Sequence, residues 1–219
     1  MIDLHTHTTW SDGVLIPAEM VQRARAKGVT GLALTDHVDE SNLEIVVPAL
    51  VRFCAGLRGL SDIPVLPGME ITHVPLAQIR GLVKRGRELG AKIVVMHGET
   101  VVEPVPKGTN RAAIRAGVDI LAHPGLISEA EVKLAARAGV ALEISSRKGH
   151  CLANGHLARL AKKFGATLVL NTDAHEPGDF MDLAFARTVA LAAGLSQADF
   201  RRMQAASRRL LNKSQPRSR

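Results

Sequence analysis

Short apolar runs rich in β-forming residues recur along the chain, and each runs into a polar cluster. Residues 2–4 lead into His5, residues 31–34 into Thr35-Asp36-His37, and residues 65–66 into Gly68-Met69-Glu70. The format returns with 93–96 before His97, 120–122 before His123, 142–144 before Ser145, and 168–170 before Asn171-Thr172-Asp173-Ala174-His175. Runs this short and unbroken suit strands buried on both faces, as in a parallel sheet covered by helices, and the periodicity gives about seven of them. Between them lie segments with helical spacing, several closing at Gly28, Gly90, Gly117, Gly139 or Gly165. Glycine takes the left-handed conformation that ends a helix, so the next strand can start within a few residues. The pattern predicts repeated strand-helix units: an α/β fold in a single domain over 1–219. A basic tail is expected from about 207 to 219, frayed at its end.

Composition agrees with this pattern. A chain of 219 residues suits one α/β barrel, and 46% apolar residues suffice for a sizeable core. The first strand begins at residue 2, which leaves no room for a signal peptide, and no apolar run reaches the length of a membrane span. Cys54 and Cys151 form no C-x-x-C pair, and Cys54 reads as a small buried hydrophobe. A reduced, cytoplasmic protein with no membrane partner is the expectation. The net charge of +7 suits phosphorylated or nucleic-acid partners. Aromatic residues at 3%, with no tyrosine, leave few platforms for stacking bases and favour a small phosphorylated substrate.

The polar clusters carry the chemistry. His5 and His7 lie two apart at a strand end, so alternation puts both imidazoles on one side. Asp12 follows in a Ser11-Asp12-Gly13 turn, and Thr35-Asp36-His37 and Asp173-Ala174-His175 recur at other strand ends. In a βα barrel every strand opens onto the same face at its C-terminal end, where residues far apart in sequence meet. The candidate metal ligands are His5, His7, Asp12, His37, Glu70, His97, His123, Asp173 and His175. Imidazole with carboxylate favours zinc, manganese or iron, and nine such groups are enough for about three ions. Asp36 is expected to hold a ligand imidazole in its tautomer rather than to bind metal. His73, His150 and His156 fall outside the pattern, with His156 expected at the surface.

In order, His5-Thr6-His7, Ser11-Asp12-Gly13, Thr35-Asp36-His37, Gly68-Met69-Glu70, His97, His123-Pro124, Leu142-Glu143-Ile144 and Asp173-Ala174-His175 resemble the PHP superfamily, named for its polymerase-associated and histidinol-phosphatase members. The resemblance implies a distorted (β/α)7 TIM-like barrel with a trinuclear metal centre. It implies a first ion on His5, His7, Glu70 and Asp173, with Glu70 bridging to a second held by His97 and His123. Asp12, His37 and His175 would bind the third. Members mostly hydrolyse phosphate esters; others are exonucleases, nucleotide phosphatases, phosphotyrosine phosphatases or modules without activity. Two departures stand out. The joining segments are too short for a sizeable inserted domain, and Ser145-Ser146-Arg147-Lys148 stands where relatives often carry asparagine.

The expected activity is hydrolysis of a small phosphate monoester, histidinol-phosphatase-like, by a hydroxide held between ions bridged by Glu70, with Asp173 the second carboxylate of the catalytic centre. Arg147 is a candidate phosphate ligand, Lys148 a weaker one, and His150 a candidate proton donor to the leaving oxygen. Three alternatives stand beside it: a nuclease or nucleotide phosphatase, a metal-binding scaffold without catalysis, and an amide or lactone hydrolase. The sequence leaves oligomeric state open.

Overall fold

The computed structural model describes residues 1–213. Within them, eight parallel strands and eight α-helices follow in the order β1 (Ile2–Asp3), α1 (Pro17–Ala26), β2 (Gly31–Leu34), β3 (His37–Val38), α2 (Leu43–Gly56), β4 (Val65–Ile71), α3 (Leu76–Glu88), β5 (Ile93–His97), α4 (Thr109–Ala116), β6 (Ile120–Ala122), α5 (Glu129–Ala138), β7 (Ala141–Ser145), α6 (Asn154–Phe164), β8 (Leu168–Asn171), α7 (Leu183–Ala192) and α8 (Gln197–Lys213). The strands run β1-β2-β4-β5-β6-β7-β8 around the sheet, and β3 also pairs with β4. Leu32 lies opposite Val65 and His37 opposite Glu70, so β2 and β3 are one stave interrupted at Thr35-Asp36. Seven staves therefore make a nearly closed, distorted TIM-like barrel.

Alternation along the strands fills two cores. Ile93 and Val95 of β5 point into the barrel with Leu66, Ile120, Ala122, Ala141 and Val169. Val94 and Met96 face the surrounding helices, as do Leu121, Leu142, Ile144, Leu168 and Leu170. That two-sided burial is why the strands read as unbroken apolar runs. The five glycines expected to end helices all adopt positive φ, from 68° at Gly165 to 109° at Gly90.

Three differences from the sequence reading matter. First, β4 continues through Pro67 and Gly68 to Ile71, so Glu70 sits within a strand. Pro67 still contributes its carbonyl, which accepts from the Lys92 amide. Second, residues 207–213 of the expected tail form the end of α8, with Ser207 and Leu211 buried. Ala206 and Leu211 join the barrel-interior cluster and close its N-terminal end; the frayed end expected at 214–219 lies outside the described residues. Third, β1 and β8 are joined by a single parallel bridge, Thr6 to Ala174. His7 N donates to Ala174 O at 2.8 Å and Asp173 N to His5 O at 3.0 Å. The barrel is thus closed by the very segments that carry four of the candidate ligands. No described helix is long and apolar enough to cross a membrane.

Candidate metal centre

The C-terminal ends of the strands converge on a cavity of about 240 Å³ lined by Asp12, His37, Thr72, His73, His97, Glu103, His123, Arg147, His150, Asp173 and His175. His5, His7 and Glu70 form its floor, each at 0% exposure. Among the described residues, three larger hollows lie away from the mouth, about 460 Å³ beside the start of β8, about 710 Å³ beside the start of β4 and about 360 Å³ beside the end of α1. None of them gathers imidazoles.

All nine candidate ligands meet at this mouth. His5 Nε2 lies 3.2 Å from Glu70 Oε1, and His7 Nε2 lies 3.1 Å from Asp173 Oδ1 and 3.5 Å from Glu70 Oε2. His123 Nε2 is 3.7 Å from Glu70 and 3.6 Å from Asp173. On the outer side Asp12 Oδ1 lies 3.2 Å from His175 Nε2 and 3.5 Å from His37 Nε2. Close as they are, His5 Nε2, both His7 nitrogens and both Glu70 oxygens make no hydrogen bond. Buried polar atoms are nearly always paired, so a set this dense of unpaired donors facing common points fits cations. Donor atoms fall within 4.8 Å of one another in His7, Asp12, His37 and His175, in His5, His123 and Asp173, and in His5, His7 and Glu70.

The local backbone serves this arrangement. His123 and Asp173 hold positive φ, 25° and 55°, a costly conformation that persists where the surroundings over-determine it. At Gly13 a Cβ would stand 2.1 Å from the His7 carbonyl oxygen, so only glycine lets the Asp12 turn lie against the His7 strand end. Glu143 Oε2 sits 2.8 Å from His5 Nδ1 and accepts from Asn171 Nδ2 at 2.8 Å, which leaves His5 Nε2 free to face the cluster. Asp36 was expected in that imidazole-holding role and does not fill it. Its carboxylate accepts from Thr8 N, Thr8 Oγ1 and Ser11 Oγ, fixing the turn that presents Asp12.

Burial and crowding disturb ionisation strongly. Burial opposes charge on His5, but Glu70, Glu143 and Asp173 together raise its pKa well above the ordinary value. Burial, then the charge on His37, lowers His7. Burial and the neighbouring His97 lower His123. Asp173 is pushed up to about 7, by burial above all and by the carboxylates of Glu70 and Glu143 against the pull of His5. A divalent ion would be the largest local charge and would invert this pattern, favouring ionised carboxylates and neutral imidazoles.

Of the candidate substrate contacts, Arg147 reaches the mouth, donating from Nη1 to Asp173 O at 3.1 Å and lying 3.5 Å from Asp179 Oδ2. Lys148 is exposed and does not line the cavity. His150 is buried, stacks on His123 at 4.0 Å between ring centroids, and has Nδ1 2.7 Å from Thr100 Oγ1. Two residues belong to the mouth against expectation. His73, outside the sequence pattern, lies 4.7 Å from the His97 ring, and Glu103 lies 3.0 Å from His97 Nε2. Both sit on loops that follow strands, His73 two residues past β4 and Glu103 six past β5, and no motif marks them. His156 is half-buried rather than exposed, its Nε2 donating to Ile127 O at 2.8 Å.

The PHP domain model matches residues 3–165. The chain belongs to the PHP family. An uncharacterised protein of Methanocaldococcus jannaschii is 45% identical over 89% of this chain and 90% of its own length. A probable phosphatase of Shewanella oneidensis is 35% identical over 80% of this chain and 76% of its own. Among solved structures, histidinol phosphate phosphatase of Lactococcus lactis, in complex with zinc, L-histidinol and phosphate, shares the fold with a TM-score of 0.60 at 18% identity, covering 89% of this chain and 94% of that one. The PHP segment ends before Asp173 and His175, so the last stave is placed by the fold itself.

Proposed function

We propose that this PHP protein hydrolyses phosphate monoesters of small molecules at a centre of three divalent ions. Metal-dependent hydrolysis of phosphoester bonds is the activity that family and relatives support. The carrying observation is the buried set of imidazoles and carboxylates at the barrel mouth, in which the donors of His5, His7 and Glu70 that face the cluster crowd together without hydrogen bonds. Divalent ions bound there would activate water and neutralise charge on the phosphoryl oxygens.

The chain's own residues do the rest. His5, His7, Glu70 and Asp173 form the deepest donor group, His97 and His123 the group beside it, and Asp12, His37 and His175 the outer group. Glu70, in contact with His5, His7, His37 and His123, would be the carboxylate that serves more than one of these groups. Arg147 offers a planar fork to phosphoryl oxygens at the cavity rim. His150 is the proton donor to the leaving oxygen. Its ring stacks on His123 and its Nδ1 lies 2.7 Å from Thr100 Oγ1, which would hold it beside the entering substrate. A cavity of about 240 Å³ accepts a phosphoryl group with a small leaving alcohol.

The test is phosphate release by chelator-stripped protein restored with manganese, zinc or iron, offered small monoesters including histidinol phosphate, nucleotides and short oligonucleotides. Metal-dependent release from monoesters, absent in His7→Ala and with KM raised in Arg147→Ala, is expected. Release only from oligonucleotide ends would replace this reading with a nuclease, and metal binding without release from any of them would replace it with a scaffold.

A further inference from the structure

The loop after β5 brings Glu103 over the mouth, six residues beyond His97. One of its oxygens, Oε2, is shared by two imidazoles: His97 Nε2 at 3.0 Å and His73 Nε2 at 3.2 Å. The other oxygen is 3.5 Å from His150 Nε2. The side chains of His97 and His150 are 4% and 5% exposed, whereas Glu103 remains 37% exposed. The donor atoms of His73, His97 and Glu103 lie within 4.8 Å of one another, and so do those of His97, His123 and His150. The two groups meet at His97. His123 Nδ1 and His97 Nδ1 are buried without partners.

Once His97 binds a cation through Nε2, that nitrogen has no proton to donate, and the contact to Glu103 Oε2 cannot persist as a hydrogen bond. The carboxylate then either leaves or shares the ion. Two donors on one tetrahedral ion, with bonds of about 2.0–2.2 Å, stand about 3.3 Å apart. The observed separation of 3.0 Å is close to that edge, so the pair can serve one ion once the carboxylate turns its lone pair toward it.

We propose that Glu103 is a metal ligand: its carboxylate, steadied by His73, adds a donor to the divalent ion held by His97 and His123. Those two imidazoles and a shared Glu70 leave that ion short of a filled protein shell, and Glu103 supplies the missing donor. Its supports differ from those of the floor ligands. Glu99 Oε1 accepts from Gly108 N and Asn110 N, pinning both ends of the loop, while residues 101–103 between them are exposed. A donor on such a segment can exchange with a phosphoryl oxygen, which makes Glu103 the displaceable ligand of the centre. The inference rests on the metal-centre reading above.

The experiment is titration of chelator-stripped protein with Mn(II), free Mn(II) being read by electron paramagnetic resonance, for wild type, Glu103→Gln, Glu103→Ala and His73→Ala, each checked for folding by circular dichroism. Glutamine keeps the size and hydrogen bonding of the side chain but is a far poorer ligand. One equivalent bound at least about 10-fold more weakly in both Glu103 variants, with a smaller shift in His73→Ala, is expected. Wild-type affinity at every equivalent in Glu103→Gln overturns the inference, including the case in which Glu103→Ala alone is impaired, because that assigns Glu103 a positioning role. Wild type that binds no Mn(II) fails the metal-centre reading itself, a distinct result.

Discussion

At the scale of single residues, the site depends on groups that never touch substrate. Glu143 is the clearest, since it holds the ring of a candidate ligand through His5 Nδ1 and is itself held by Asn171. Glu143→Gln should leave the fold intact and weaken metal binding by about 10–100-fold, read as chelator concentration for half-loss of bound metal. Unchanged metal retention would remove Glu143 from that role. The nine ligand candidates were legible in the sequence because strand ends in a parallel barrel share one face. Glu103 and His73 were not, because loop residues owe their position to how the loop packs, which no spacing rule encodes. Asp36 was read as a partner for an imidazole; its two carboxylate oxygens are instead taken by Thr8 and Ser11 across the turn. Far from the mouth, burial pushes the Cys54 thiol up to about 12. In native protein at pH 8 a thiol reagent should therefore titrate Cys151 alone, and both cysteines only after unfolding. The folded pKa is raised, so this contribution is full below the unfolded thiol value of about 8.5 and is lost progressively as pH rises from there toward about 12.

At the scale of elements, closure of the barrel and assembly of the site are one event. The bridge that joins the segments after β1 and β8 is made at Thr6 and Ala174, between His5 and His7 on one side and Asp173 and His175 on the other. Gly13 lies against this seam, and its Cβ contacts would fall on the His7 backbone. Gly13→Ala should thus lower both thermal stability and metal affinity, whereas a loss of stability with intact metal binding would separate the two. At the other end α8 acts as the plug. Leu211 fills the space above Gly31, where an added Cβ would come within 2.6 Å of it. Leu211→Ala should cost about 3 kcal/mol in denaturant unfolding. The sequence signalled strands and glycine stops well, because two-sided burial and helix ends each impose a residue type. It did not signal α8 as a plug, because the arginines on the outer side of that helix mask Ser207 and Leu211 on the inner one, and the stretch reads as a basic tail.

At the scale of the whole molecule, the protein concentrates buried carboxylates and imidazoles at one end of a barrel whose other end is sealed by apolar packing. Such a mouth is held together at the expense of unpaired polar atoms, and cations offset that cost. Metal occupancy should accordingly stabilise the fold. An ion free at about 100 times its dissociation constant contributes about 2.7 kcal/mol, which for a domain of this size raises the melting temperature by about 5–10 °C. A chelator should reverse the shift. The central claim is that the clustered donors are a metal-dependent phosphoesterase centre. The measurement that tests it most directly is the initial rate of phosphate release from p-nitrophenyl phosphate by stripped protein, followed against Mn(II) bound per chain. Negligible release without metal, rising as the centre fills with about three ions, is the expected result. Release that persists in the stripped protein, or none in a chain that has bound its ions, would contradict it.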